Sequence, residues 1–331
     1  YNHTQFAEGF FAHTKTTLTI HNAAFQGSFD LHEIPMIENY RQALHLDLNP
    51  HINMMKIGIT YADKITAVSP TYAQEILTNL GGHGMHLCLQ NRSSDLKGIL
   101  NGCDYTQWDP STDPFIDAHY DVNDLSGKAI CKQALQAESG FADEPKTPLI
   151  GMVCRLTAQK GFDYILPILG ELMQHNLQLT IVGTGDPYVC HQLADLSRVH
   201  PTKFKFIEGF KPELAHLVEA GSDFFLMPSE FEPCGLNQMY SLAYGTLPIV
   251  RNVGGLSDTV VGIDQNAHDS TGFMFTDPEP IALLICIRRA LLLYLEQPER
   301  FLQMQKRAMH TKFTWEKAAK EFEVLFINTI Q

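Results

Sequence analysis

Four side chains with acid–base or ionic chemistry stand where the sequence predicts that strands end: His21, Arg155, Lys160 and Glu232. Each follows a segment predicted to be a strand, and the segments before Arg155 and Glu232 are continuous apolar runs of the kind that forms a buried strand. In open α/β sheets, ligands bind outside the carboxyl ends of the strands. Arginine and lysine hold phosphate groups, whereas a carboxylate accepts hydrogen bonds from hydroxyl groups. These residue types predict a site for a ligand with a diphosphate at one end and hydroxyl groups at the other.

The densest pattern lies in residues 224–260 and predicts a β-α-β-α unit. After an apolar strand, Glu232-Pro233 predicts the start of a helix, because proline is tolerated in a first turn. Gly245 ends this helix, and after a second buried strand the pair Gly254-Gly255 leads into another helix. Two helix N-termini, which favour anions, would then face one crevice. On a simpler interpretation, Glu232 offsets only the dipole of its own helix and the glycines are turn residues.

Cys234 and Gly235 fall in the first turn of the predicted helix. The dipole at a helix N-terminus lowers the pKa of a thiol there. We therefore expect Cys234 to react faster than the other six cysteines, and we expect a ligand bound in the crevice to protect it.

Glycine and aromatic residues follow two further strands of the same half of the chain. After the run 177–182, Gly183 and Gly185 predict a turn at which the backbone comes close to a nucleotide. The pattern lacks the third glycine of a dinucleotide fingerprint. Phe210 follows the run 204–207. An aromatic residue at this position is either part of the core or a platform on which a base stacks.

Composition restricts the class of protein. With 331 residues, of which 44% are hydrophobic, the chain can bury two cores. The formal net charge of −13 argues against nucleic-acid and anionic-membrane partners, because either requires a cationic face. No apolar run approaches the ~20 residues that span a bilayer. The seven cysteines are scattered without a Cys-x-x-Cys pair, so we expect reduced thiols, no metal site and no cofactor.

Several motifs, in their order and spacing, resemble glycosyltransferase family five, which comprises bacterial glycogen synthases and plant starch synthases. From Ser229 to Val260 these are Ser-x-Phe-Glu-Pro-Cys-Gly-Leu, Tyr-Gly-Thr-x-Pro-Ile-Val-Arg and Gly-Gly-Leu-x-Asp-Thr-Val. Earlier matches are His-Asn-x-x-Phe-Gln-Gly from His21, Gly-Ile-Leu-Asn-Gly-x-Asp from Gly98 and Arg-Leu-x-x-Gln-Lys-Gly from Arg155. The resemblance extends over nearly the whole chain.

The resemblance implies an α/β fold of the B-type glycosyltransferase (GT-B) architecture, with a cleft between two Rossmann-like domains. We divide the chain into a partial N-terminal, acceptor-side domain (1–100), a hinge and connecting segment (101–147), a nucleotide-sugar-binding domain (148–308) and a C-terminal helix that crosses back to the first domain (309–331). No Lys-x-Gly-Gly-Leu loop of the family precedes His21. We therefore interpret the first domain as incomplete and expect residues 1–331 alone to bind ADP weakly and to elongate little glucan.

The implied reaction is retaining transfer of glucose from ADP-glucose to the end of an α-1,4-glucan, without a metal. Arg155 and Lys160 would bind the donor diphosphate together with the amides near Gly254-Gly255, and Phe210 would stack on the base. Glu232 and the amides after it, at Cys234 and Gly235, would hold the glucose hydroxyl groups, while His21 and Asn101 face the sugar. Glu230 stands where the family often has arginine, and its charge is expected to weaken donor binding.

Three alternatives stay open at this stage. One is a transferase of the same fold that uses UDP-glucose, because these residues do not reveal the nucleotide. Another is a non-catalytic module that binds nucleotide or glucan. The sequence also leaves the oligomeric state open. The resemblance also implies a bacterial cytoplasm, or the plastid stroma if the source is a plant.

Overall fold

The chain divides into two compact units in a computed structural model that describes residues 13–30, 33 and 51–330. Unit 1 comprises residues 1–100 and 318–331, and unit 2 comprises residues 101–317. Unit 2 contains all residues of the predicted nucleotide-sugar-binding domain, 148–308. The domain boundaries at 147 and 308 stay predictions.

Unit 1 contains a parallel three-stranded sheet in the order β1-β4-β5 and an antiparallel pair formed by β2 and β3. Its elements within the described ranges are β1 (Thr17–Ile20), β2 (Ser28–Asp30), β3 (His51–Asn53), α1 (Met54–Tyr61), β4 (Lys64–Ala67), α2 (Pro70–Glu75), α3 (His86–Gln90) and β5 (Leu96–Gly98). The side chain of Ser69 caps α2, in which proline occupies the first position.

Unit 2 is built on a parallel six-stranded sheet in the order β11-β10-β9-β6-β7-β8. Its elements are α4 (Ser126–Ser139), β6 (Leu149–Leu156), α5 (Phe162–Ile165), α6 (Leu169–Leu172), β7 (Gln178–Gly185), α7 (Pro187–Val199), β8 (Phe204–Glu208), α8 (Pro212–Gly221), β9 (Phe224–Met227), α9 (Asn237–Ala243), β10 (Leu247–Arg251), α10 (Gly254–Thr259), β11 (Phe273–Phe275), α11 (Pro280–Glu296) and α12 (Pro298–His310). All four residues of β9 are buried, as its uninterrupted apolar sequence predicts.

The last helix, α13 (Trp315–Ile330), belongs to unit 1 from Ala318 onward. Ala318 and Leu325 are buried there in one cluster with Ile99, against which Phe322 also packs. Ala318 and Leu325 are thus covered within unit 1, whereas Trp315 at the start of the helix is 50% exposed.

Candidate ligand site

The carboxylate of Glu232 lies in the loop between β9 and α9 and is only 6% exposed. Lys160 Nζ lies 2.6 Å from its Oε2, and Ser229 Oγ donates a hydrogen bond to the same oxygen at 3.0 Å. Lys160 is in the loop that follows β6, so the pair joins the ends of two adjacent strands. A buried carboxylate needs such partners, because an unpaired one is costly to desolvate.

Hydrogen bonds between the two loops fix the position of this ion pair. The Glu230 amide donates to the Gln159 carbonyl at 2.8 Å, and Gln159 Nε2 donates to the Phe231 carbonyl at 3.2 Å. Gly161 follows with φ +79°, and a Cβ there would lie 2.0 Å from the Pro228 carbonyl oxygen. Only glycine permits both the left-handed backbone and this close approach.

The helix expected from Glu232-Pro233 begins later, at Asn237, so that prediction was wrong. Gly235 adopts φ +69°, which interrupts the chain before the helix. A residue before proline also avoids the helical region, which favours an extended Glu232. Glu232 therefore stands on a loop and does not face the N-terminal dipole of a helix that it starts.

Cys234 consequently lies outside the first helical turn, and the predicted low thiol pKa is wrong as well. The residue is 6% exposed, and burial raises the pKa of its thiol to about 11. Its sulfur contacts the backbone of Asn101, another residue expected near the sugar. The structure thus brings Asn101, Cys234 and Glu232 into one region of unit 2.

The pair Gly254-Gly255 begins α10, as the sequence predicts. The Gly255 amide donates to the Glu232 carbonyl at 3.0 Å, so this N–H group is already engaged by the protein. A Cβ at Gly255 would lie 2.0 Å from the Cys234 carbonyl oxygen. Glycine at this position therefore permits the loop that carries Glu232 to pack directly against the start of α10.

Gly183 and Gly185 remain within β7, whereas the sequence predicts a turn there. They pair with Cys154 and Leu156 of β6. A Cβ at Gly183 would lie 2.1 Å from the Cys154 carbonyl oxygen, which explains the first glycine by strand packing alone. The helix that follows begins at Pro187, and Asp186 caps it through its side chain.

Two cavities open at the carboxyl edge of the sheet in unit 2. The first, of about 280 Å³, is lined by residues that include Arg155, Gly183 and Phe210, and the second, of about 200 Å³, by residues that include Lys160 and Glu232. They adjoin, because both are lined by Val153, Cys154 and Asn237. The predicted phosphate- and sugar-binding side chains therefore face neighbouring parts of one edge.

Arg155 and Phe210 are both accessible to a ligand. The Arg155 side chain is exposed and forms no ion pair with any side chain in residues 13–30, 33 and 51–330. Phe210 is 65% exposed, which makes it a surface ring and not a core residue. An unpaired guanidinium beside an exposed aromatic ring suits a phosphate and a planar base.

The first cavity also contains residues that the sequence did not single out. Trp108 stacks on His216, with ring centroids 3.8 Å apart, and on Tyr240, with centroids 4.1 Å apart. His216 Nδ1 lies 2.8 Å from Asp113 Oδ2, which fixes the imidazole against the indole. Glu219, one turn further along α8, is 2% exposed and also lines the cavity. Polar residues on the buried side of α8 were the available sequence signal.

His21 lies in unit 1, directly after β1, and is exposed. The loop that carries it is held by Tyr72, whose hydroxyl accepts a hydrogen bond from the Ala23 amide at 2.8 Å. Gln26 Nε2 donates to the carbonyl groups of Ala23 and His83 at 3.0 and 2.7 Å. An exposed imidazole on a loop fixed at three points is suited to meet a ligand.

The described residues show neither a cluster of metal ligands nor a helix that could span a membrane. Residues 13–30, 33 and 51–330 contain no group of three or more His, Cys, Asp or Glu side chains arranged to hold a metal ion. Over the same ranges, every helix falls short of the length and apolar character that crossing a bilayer requires.

Solved structures share the fold. The catalytic domain of starch synthase IV from Arabidopsis thaliana, bound to ADP and acarbose, superposes with a TM-score of 0.92 at 30% identity, covering 99% of this chain and 70% of that one. Sucrose-phosphate synthase from Thermosynechococcus elongatus gives a TM-score of 0.58 at 18% identity, over 94% of this chain and 67% of that one, which is similarity of fold alone. The fold is therefore the GT-B fold, as the sequence predicts.

Sequence comparisons agree with the fold. Residues 1–91 match the family model of the starch synthase catalytic domain, and residues 135–308 match that of glycosyl transferases group 1. The glycogen synthase of Aeromonas hydrophila is 53% identical over 320 residues, which is 96% of this chain and 65% of that protein. The glycogen synthase of Vibrio cholerae is 50% identical over 327 residues, which is 96% of this chain and 67% of that protein. The chain, which spans about two thirds of the length of these relatives, belongs to the glycogen and starch synthase family of glycosyltransferases.

Proposed function

We propose that the protein is a retaining glucosyltransferase that elongates an α-1,4-glucan from ADP-glucose. The observation that carries the proposal is the arrangement at the carboxyl edge of the sheet in unit 2. There an unpaired, exposed Arg155 and the Lys160–Glu232 ion pair line adjoining cavities. The Arabidopsis starch synthase IV domain, a relative with the same fold, is described as bound to ADP and acarbose, a nucleotide and a sugar ligand.

Departure of the nucleoside diphosphate is the step that these cations would assist. As the bond from the sugar to the diphosphate breaks, negative charge develops on the leaving phosphate and positive charge on the sugar. Arg155 and Lys160 would stabilise the leaving phosphate by electrostatics that are already organised before the reaction. The ammonium group of Lys160 has three donors, and one of them is directed at Glu232, so the others can reach phosphate oxygens.

Glu232 would accept hydrogen bonds from glucose hydroxyl groups, and the backbone at Cys234 and Gly235 would extend that contact. Its position depends on Lys160 and Ser229, which both contact Oε2 and leave Oε1 for a ligand. We propose His21 and Asn101 as further residues that bind the sugar, with the glucan as acceptor. The donor and the glucan are the partners that this proposal requires, and we place the reaction in a bacterial cytoplasm by analogy with the bacterial relatives.

Glu232→Gln tests the proposal in the full chain. It keeps the size of the side chain and a hydrogen bond from Ser229, but it removes the charge that pairs with Lys160. We expect glucose incorporation into glycogen to fall by at least about 100-fold, the scale of losing a charged hydrogen bond in the transition state. Glu213→Gln, at an exposed position of α8, is the matched control. Normal incorporation by the Glu232 variant would refute the sugar-binding role.

A further inference from the structure

Glu219 is an acidic residue at the base of the 280 Å³ cavity, where the proposed mechanism assigns it no role. It lies in the last turns of α8, seven residues after Pro212, which lines the same cavity. At 1.5 Å per residue, Glu219 is about 10 Å deeper along the helix than Pro212. The cavity thus extends from the exposed residues at its mouth to a buried carboxyl group.

The hydrogen bonds around Ser241 show which form this carboxyl group takes. Ser241 Oγ lies 2.6 Å from Glu219 Oε2 and 2.7 Å from the Asn237 carbonyl oxygen. A serine hydroxyl has one hydrogen, and a carbonyl oxygen has none to give. The two short contacts are both satisfied if Ser241 donates to Asn237 and a protonated Oε2 of Glu219 donates to Ser241.

The charges around Glu219 agree with a neutral acid. No Lys, Arg or His nitrogen of the described residues lies within 4 Å of its carboxyl oxygens, and the nearby buried Lys128 Nζ donates instead to Ala220 O and Thr246 Oγ1. A buried carboxylate without a counter-ion is strongly disfavoured. Burial accordingly raises the pKa of Glu219 well above its ordinary value.

With Oε2 engaged by Ser241, Oε1 is left as a hydrogen-bond acceptor. Within residues 13–30, 33 and 51–330, no group donates to Oε1. The side chain is 2% exposed and lines the cavity, so only a group inside the cavity can satisfy this oxygen. Phe210 lines the same cavity and is 65% exposed, so its ring can stack on a flat aromatic ligand.

We propose that Glu219, as a neutral carboxylic acid, is a specificity-determining residue that accepts a hydrogen bond from the exocyclic amino group of the nucleobase. This inference rests on the proposed function, in that it takes the first cavity as the site of the base. An adenine amino group can donate to Oε1. Uracil presents a carbonyl oxygen at the corresponding position, and two acceptors would then face each other. The carboxyl group of Glu219 could rotate and donate its proton to the uracil oxygen, but Ser241 Oγ would then lose the hydrogen bond that it accepts from Glu219.

The test compares ligands first, with the unaltered full chain. Calorimetric titrations use ADP, UDP and purine riboside 5′-diphosphate, which matches ADP but lacks the amino group. We expect ADP to bind roughly 10- to 100-fold more tightly than the other two, the range for leaving a buried polar group unsatisfied. Equal affinities for ADP and the analogue would overturn the role of Glu219 and leave the nucleotide site standing. Absence of binding by all three would refute the nucleotide site itself and the role of Glu219 with it.

Two variants then test whether Glu219 acts as a neutral carboxylic acid or as a charged carboxylate. Glu219→Gln supplies an amide N–H to Ser241 and a carbonyl oxygen to the cavity, so we expect the preference for ADP over the analogue to persist. Glu219→Leu supplies neither, and the preference should fall to within about two-fold. Glu213→Gln and Glu213→Leu, at an exposed position of the same helix, are the matched controls and should retain the preference. Loss of the preference in Glu219→Gln would overturn the neutral-acid assignment, and this result stays available even if Glu219→Leu does not fold.

Discussion

Replacing Lys160 by methionine removes one partner of the buried ion pair and leaves the Glu232 carboxylate with Ser229 alone. Removing one member of a buried pair typically costs about 3–5 kcal/mol of unfolding free energy. The side chains of Lys160 and Glu232 are 18% and 8% exposed, so water reaches the lysine end and favours the lower limit. We expect a loss of about 3 kcal/mol, which for a unit of this size lowers the unfolding temperature by roughly 6–12 °C.

A double-mutant cycle measures the interaction energy between Lys160 and Glu232 separately from the other effects of each substitution. Urea unfolding is followed for the unaltered chain, Lys160→Met, Glu232→Gln and the double variant. Since Glu232→Gln removes the charge that Lys160 neutralises, the double variant should be more stable than the sum of the single changes predicts, by about 2 kcal/mol. Effects that add to within about 0.5 kcal/mol would refute the inference that the two side chains form a coupled pair.

The same variants connect the ion pair to ligand binding. Lys160→Met should weaken ADP binding by roughly 10- to 100-fold, because it removes a charged donor to phosphate. Glu232→Gln should instead strengthen ADP binding, since the carboxylate 2.6 Å from Lys160 Nζ offsets its positive charge. Weaker ADP binding in Glu232→Gln would contradict the assignment of Lys160 to the diphosphate.

Three further predictions concern buried groups. Raising the pH from about 9 to about 12 should destabilise the protein, because folding raises the pKa of six thiols above their ordinary value and the stability they contribute below pH 9 is lost as the pH rises. Urea unfolding measured as a function of pH checks this for Cys103, Cys131, Cys154, Cys190, Cys234 and Cys286. Burial lowers the pKa of Lys128 to about 8 and also lowers that of Lys312, so these two groups act in the opposite direction, against six thiols. At pH 7.5, mass spectrometry of maleimide-labelled protein should find Cys234 modified more slowly than the half-buried Cys88, and the reverse order would show that its thiol is accessible. Gly255→Ala should cost at least about 2 kcal/mol in urea unfolding, whereas Gly170→Ala, where a Cβ meets nothing within 4 Å, should be nearly neutral; equal effects would refute the close approach at Gly255.

Apolar runs and glycines predicted much of unit 2 because they reflect local requirements. The strand at Phe224–Met227 is a continuous apolar run buried on both faces, and Gly254 begins α10 as expected. The start of α9 was misplaced because Glu232-Pro233 has the sequence of a first helical turn, while the left-handed backbone of Gly235 prevents a helix before Asn237. Periodicity indicates which residues share a helical face, whereas a left-handed glycine decides where the helix begins.

Contacts across long sequence separations could not be predicted in the same way. Lys160 and Glu232 are 72 residues apart, and each was assigned to a different part of the ligand. Their contact depends on β6 and β9 being neighbours in the sheet, although β7 and β8 lie between them in the chain. The spacing along α8 could have indicated that Glu219 faces the core, but not its contact with Ser241, which lies 22 residues further along the chain.

The charge distribution at the sheet edge follows from these contacts. In a chain with a formal net charge of −13, binding of a diphosphate depends on cations whose charge is not already offset. Lys160 is paired with Glu232, whereas Arg155 is exposed and has no ion-pair partner among the described residues. Arg155 is therefore the cation with its full charge available to an approaching diphosphate. In the proposed mechanism, Lys160 would divide its donors between the phosphate and Glu232, so that one ammonium group would couple the position of the carboxylate proposed to bind sugar to the presence of the leaving group.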